Sequence, residues 1–147
     1  MLLDKERRIL KYLRENARAK ITDLARKVNL PRASTYEHVN NLVASGIIRK
    51  YLCLIDFKNL GLPIHVKVLF RVPTANKLAF GKELVASQRT NNVIKLGNEF
   101  DYLASFVFQS MEEMHDFLDS LTVKYKLSNY QQLYVAKELK REGFDMY

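Results

Sequence analysis

Polar and apolar positions along this chain follow two rhythms, and the change between them divides it. Over residues 4–16, Ile9, Leu10 and Leu13 recur at helical spacing, with Arg7, Arg8, Lys11 and Arg14 on the other side. After a short basic turn, Leu24, Ala25 and Val28 form a second helical stripe, with Thr22 the expected cap and Asp23 the first helical residue. Asn29 tolerates the left-handed conformation that ends a helix, and Pro31 presets the backbone for the next one. In that third helix Thr35, Val39, Leu42 and Val43 form the packing side, with Tyr36 at its border. Ser34, Glu37, His38, Asn41 and Ser45 are expected to look outward. Gly46 supplies a cap, and Ile47 and Ile48 are expected to return to the small core as a strand. Two short helices joined by a tight turn and followed by a basic strand make a winged helix-turn-helix. Its reading segment covers residues 21–40, opening at Ile21 and closing at Asn40.

From Tyr51 the period falls to two. Residues 51–57 (YLCLIDF) are strand formers that predict a linker strand, ended by Gly61 and Pro63. Beyond them the pattern predicts strand 64–72, helix 76–87, strands 92–96 and 101–109 about a turn at Gly97, Asn98 and Glu99, helix 111–124 and strand 130–136. The charged tail is expected to add a last turn of helix. Leu78, Phe80, Leu84 and Val85 are the apolar members of the first of these helices, and Met114, Phe117, Leu118 and Leu121 those of the second. The order βαββαβ is ferredoxin-like, with both helices on one face of an antiparallel sheet. The fold class is thus α+β: an N-terminal winged helix-turn-helix (1–50), a linker strand (51–61) and a C-terminal ferredoxin-like βαββαβ domain (62–147).

The sheet's second face is too apolar for water. In strand 101–109, Leu103 and Val107 oppose Tyr102, Ala104, Phe106 and Phe108, and in strand 130–136, Leu133 and Val135 oppose Tyr130 and Tyr134. A half-solvated sheet alternates more cleanly, so a second copy of the chain is the expected cover and a homodimer the expected state.

Charge sharpens the division. Of the net +8, residues 1–50 hold +7 (12 Lys and Arg against 5 Asp and Glu), and the remaining 97 residues hold +1. A basic module joined to a near-neutral one suits phosphate binding by counterion release, so double-stranded DNA is the expected partner. Arg32, Ser34, Glu37, His38 and Asn41 are the candidate base-facing residues, and Arg18, Lys20, Arg49 and Lys50 the candidate phosphate contacts. No apolar run is long enough for a membrane span and no signal layout opens the chain, which points to the cytoplasm. The lone Cys53 offers neither a disulfide nor a zinc motif, and a partly buried structural thiol is expected. No phosphate loop, nucleophile triad or metal-ligand spacing appears, so neither catalysis nor a metal nor a cofactor is expected.

The segments DKERRILKYLREN, ITDLARKVNLPRASTYEHVNNLVASGII and GNEFDYLASF together resemble the Lrp/AsnC, or feast/famine, family of transcription regulators over nearly the whole length. The resemblance implies sequence-specific DNA binding and a C-terminal domain that dimerises, with tetramers or octamers as further assemblies. It also implies an amino-acid effector bound between dimers. Gly97, Asn98, Glu99, Asp101 and Tyr102 are the candidate effector residues, Asp101 for the ammonium and the turn amides for the carboxylate. Two departures stand out. The family's third helix usually carries several arginines where this chain has Glu37, His38, Asn40 and Asn41; Glu37 would accept from cytosine and alter the preferred sequence. In the effector turn Asn98 stands where the family has glycine, with Gly97 one position earlier. Two alternatives remain at this level: an amino-acid-sensing interaction protein that does not bind DNA, and an enzyme like the haem-pathway decarboxylases that resemble this family, with His65 or His115 serving a tetrapyrrole.

Overall fold

The computed structural model describes residues 2–97 and 99–143. They form two compact units, one reaching to Ile55 and including the described residues from Lys140, the other Asp56–Leu139.

The first unit holds three helices, α1 (Asp4–Glu15), α2 (Ile21–Val28) and α3 (Arg32–Ala44). Ile9, Leu10 and Leu13 of α1 meet Leu24 and Val28 of α2 and Val39 and Leu42 of α3 in one aliphatic core. α2 begins two residues before the expected Asp23. Lys20, in extended backbone, is its cap, and the Lys20 carbonyl accepts the N–H groups of Asp23 and Leu24, both at 3.0 Å. Thr22 is exposed and caps nothing, because the carbonyl at Lys20 already closes the first turn. Asn29 ends α2 at φ 55° as its side chain permits, and Gly46 after α3 stands at φ +73°. Ile48 returns to the core through its N–H bond to the Leu42 carbonyl (2.9 Å), whereas Ile47 stays exposed and no strand forms at 47–48. The strand expected over 51–57 is likewise absent. Its amides find no ladder within one chain, and Tyr51, Leu52, Leu54 and Ile55 stand exposed beside an exposed Cys53.

The second unit runs β1 (Ile64–Arg71), α4 (Lys77–Ala86), β2 (Thr90–Lys95), β3 (Tyr102–Phe108), α5 (Met111–Tyr125) and β4 (Asn129–Tyr134). Short 3-10 turns precede β1 and α4. The antiparallel order β2-β3-β1-β4 is the ferredoxin-like one. Val66, Val68 and Phe70 of β1 and Tyr102, Ala104, Phe106 and Phe108 of β3 face both helices, where Phe80, Leu84, Met114, Leu118 and Leu121 fill the core. Leu78 and Val85, expected among the packed residues of α4, are 72% and 74% exposed: the helix buries only the narrower stripe of Phe80 and Leu84. Gly81 brings α4 against Tyr102, since a Cβ there would stand 2.6 Å from the phenol oxygen. Ser110 caps α5 by accepting from the Glu113 N–H. No helix forms at 135–143, and residues 144–147 lie outside the described ones.

The opposite face of the sheet is covered in part: Ser105 and Val107 are buried there, and the Phe57 ring stands edge-on to His65. Ile94, Leu103, Leu69 and Gln131 lie side by side across the four strands, and Leu133 extends the less covered apolar area. Ile94 and Leu133 are 47% and 41% exposed.

Candidate nucleic-acid interface and effector turn

The turn between α2 and α3 is fixed by backbone bonding at both ends. The Leu30 N–H returns to the Ala25 carbonyl (3.0 Å), and the Pro31 carbonyl accepts both the Thr35 N–H (2.9 Å) and the Thr35 hydroxyl (3.0 Å). Thr35 can therefore be fully buried, with Val39 and Leu42 following it on the packed side of α3. Arg32, Tyr36, Glu37, Asn40, Asn41 and Val43 are exposed, and Ser34 is half-buried.

His38 corrects an expectation. It lies between α1 and α3, its side chain 14% exposed, with Nδ1 3.4 Å from Glu6 Oε1. The other Glu6 oxygen accepts the Leu3 N–H at 2.9 Å. That backbone bond, with His38 adding to it, holds the Glu6 carboxyl below its ordinary range. Periodicity put His38 on the polar side of α3 but did not reveal that α1 crosses there.

Arg18, Lys20, Arg49 and Lys50 are all exposed. The turn bearing the first two is shaped by Asn16, whose side-chain oxygen accepts the Arg18 N–H at 3.0 Å. Arg26 is paired with Asp23, and Lys27 stands 5.8 Å over the Tyr12 ring. A solvent-open hollow along the helix-turn-helix has Arg26 and Arg32 on its rim. Among the described residues no three His, Cys, Asp or Glu side chains come together as a metal site, and no helix is long and apolar enough to cross a membrane.

At the effector turn, Gly97 and Glu99 are exposed, while Asn98 lies outside the described residues. Asp101 and Tyr102 are already engaged. Asp101 Oδ1 meets the Lys77 ammonium at 2.5 Å, Oδ2 accepts the Val72 N–H at 2.8 Å, and the Asp101 amide donates to the Phe70 carbonyl at 2.8 Å. Burial raises the Asp101 pKa, but Lys77 and the Val72 amide outweigh it and hold the carboxyl below its ordinary value. Tyr102 is 8% exposed and donates to the Lys77 carbonyl at 2.9 Å. As folded, these two residues fasten the start of α4 to β1 and β3, and Lys77 occupies the carboxylate expected to take an effector ammonium.

A family model described as winged helix-turn-helix DNA-binding matches residues 2–49. The transcriptional regulator AzlB of Bacillus subtilis is 26% identical over 145 residues, covering 96% of this chain and 92% of that one. LrpC of the same organism is 28% identical over 111 residues, covering 76% and 77%. The solved structure of LrpC has a TM-score of 0.86 at 24% identity, over 95% of this chain and 99% of that one. An AsnC family regulator of Agrobacterium tumefaciens has a TM-score of 0.84 at 20% identity, covering 95% and 94%.

The chain is a winged helix-turn-helix DNA-binding transcriptional regulator, similar to Lrp- and AsnC-type regulators over nearly its whole length.

A transcriptional regulator of Neisseria meningitidis in complex with L-Met shares this fold too, with a TM-score of 0.89 at 22% identity over 96% of this chain and 94% of that one. In this regulator, sequence reasoning missed Tyr36 and Asn40 as members of the exposed face of α3, and Val43 as an exposed rather than a packed residue. The signal was available in part: at 100° per residue, position 40 lies nearly opposite Thr35 and Leu42.

Proposed function

We propose that the regulator binds DNA as a homodimer, with α3 of each copy in a major groove. In this reading Arg32, Ser34, Glu37 and Asn41 face bases, and Arg18, Lys20, Arg49 and Lys50 neutralise phosphates. The observation that carries it is the exposed face of α3: Glu37, Asn40 and Asn41 present side chains with no intramolecular partner among the described residues, flanked by exposed cations on both sides. The exposed Ile94 and Leu133 beside the half-buried Leu69 and Leu103 support the homodimer, because covering apolar surface is favourable in proportion to the area removed from water. A two-fold dimer selects half-sites about one helical turn, or a multiple of it, apart. The protein works by binding rather than by catalysis, and in the cytoplasm. Gel shifts across a salt series with the full chain test the DNA reading, and sedimentation at micromolar concentration tests the dimer. Salt-independent binding overturns the first, and a monomer overturns the second.

An amino acid is the effector class of this reading, supported by the neisserial relative's complex with L-Met. At the turn around Asp101 its ammonium has to displace Lys77. Calorimetry against the twenty amino acids, with Lys77→Ala alongside, tests this: heat from one of them that grows when Lys77 is removed supports the site, and no heat from either protein removes it.

A further inference from the structure

Opposite the buried Thr35, Val39 and Leu42, the midline of α3 carries Ala33, Glu37, Asn40 and Ala44, spaced i, i+4, i+7 and i+11. Tyr36, 56% exposed, flanks this ridge on one side and Asn41 on the other. From residue 33 to 48 there is no Lys or Arg. Guanine is read through O6 and N7 chiefly by arginine or lysine. Past Arg32 the ridge therefore lacks the usual reader of guanine.

What it has is an acceptor. An ionised Glu37 can only accept hydrogen bonds, and in the major groove the donors are the amino groups of cytosine N4 and adenine N6. Its neighbours one helical turn away, Ala33, Ser34, Asn40 and Asn41, include no cation to neutralise it. A carboxylate in a groove walled by phosphates is repelled unless an amino group meets it. Asn40 can bond adenine bidentately, and the Ala33 methyl and Tyr36 ring offer apolar surface to a thymine methyl. Glu37 and Asn40 lie about 4.5 Å apart along the helix axis, close to the ~3.4 Å step between base pairs.

We infer that Glu37 and Asn40 are the specificity-determining pair of this regulator. They read base amino groups at neighbouring positions of each half-site: cytosine or adenine at Glu37, adenine at Asn40. Tyr36 packs against an adjacent thymine. This assignment rests on the placement of α3 in the major groove proposed above.

Selection from a random duplex library with the full-length protein, repeated for Glu37→Gln, Glu37→Arg and Asn40→Ala, tests it. The wild-type chain should enrich cytosine or adenine at one position by about ten-fold or more over the other bases. Glu37→Gln should move that position to adenine while strengthening binding to unselected DNA, and Glu37→Arg should move it to guanine. Asn40→Ala should erase the adenine preference next to it and leave the Glu37 position unchanged. Both sites are exposed, and a residue with only a structural role changes affinity without exchanging one base for another. Retention of the wild-type base by both Glu37 variants overturns the assignment while leaving DNA reading by α3 intact. No enrichment by the wild-type chain overturns both.

Discussion

The ion pairs of the βαββαβ unit and the outer face of α3 use polar groups in opposite ways. In the βαββαβ unit charged side chains are consumed internally: Lys77 by Asp101, Lys124 and the Tyr125 hydroxyl by Glu83, Arg89 by Glu113. Its core holds four fully buried phenylalanines, Phe70, Phe80, Phe106 and Phe108. The helix-turn-helix unit closes on a small aliphatic core and leaves the outer face of α3 without internal partners. Polar groups satisfied at home make a rigid platform, whereas polar groups left unsatisfied on a rigid helix are available to a ligand.

The sharpest way to break this contrast is to hollow the platform. Phe80→Ala removes a ring packed edge-on against Phe70 and Tyr125 and should cost about 3–5 kcal/mol, read by denaturant unfolding of the full chain. Leu24→Ala should cost about 2–5 kcal/mol, and because its unit has the smaller core, DNA binding should fail while the second unit's near-ultraviolet signal persists. Gly81→Ala drives a methyl group into the Tyr102 phenol and should cost about 1–3 kcal/mol.

Asp101→Asn probes the internal use of charge, at about 1–3 kcal/mol near neutral pH. The folded carboxyl titrates below its unfolded value, so the stabilisation is complete above the ordinary aspartate range. It is lost as pH falls through the lower, folded value. The gap between wild type and Asp101→Asn should therefore close in acid, and a gap that widened there would contradict the ion pair. The smallest effect sharpens the outward side. Arg49→Ala with Lys50→Ala should lower the log–log salt slope by about 0.9 per lost contact, equally for all sequences, whereas His38→Ala should cost about 1 kcal/mol of stability without changing which bases are preferred.

These variants also mark what the sequence could and could not reveal. The helical stripes of α1 and α2, the left-handed stop at Asn29 and the βαββαβ order were legible because each depends on residues close in the chain. The internal bonds of His38, Asp101 and Tyr102 were not legible for a common reason: their partners, Glu6, Lys77 and Val72, come from elements whose crossing no local pattern specifies. The missing strand at 51–57 has another cause. Its residues have strand propensity, but a ladder needs a second strand and the chain supplies none.

The near-neutral recognition helix bears on how quickly a site is found. α3 carries one arginine against one glutamate, so its own attraction to arbitrary duplex is slight, and the grip during sliding comes from the cations around it. Scanning and reading then fall to different side chains. With α3 in the major groove as proposed, the flanks would keep the protein on the duplex in any sequence, while Glu37 would make passage over wrong base pairs repulsive and shorten each halt. Replacing it with a cation would lengthen every pause on irrelevant DNA, and slow target location even where the final complex became tighter.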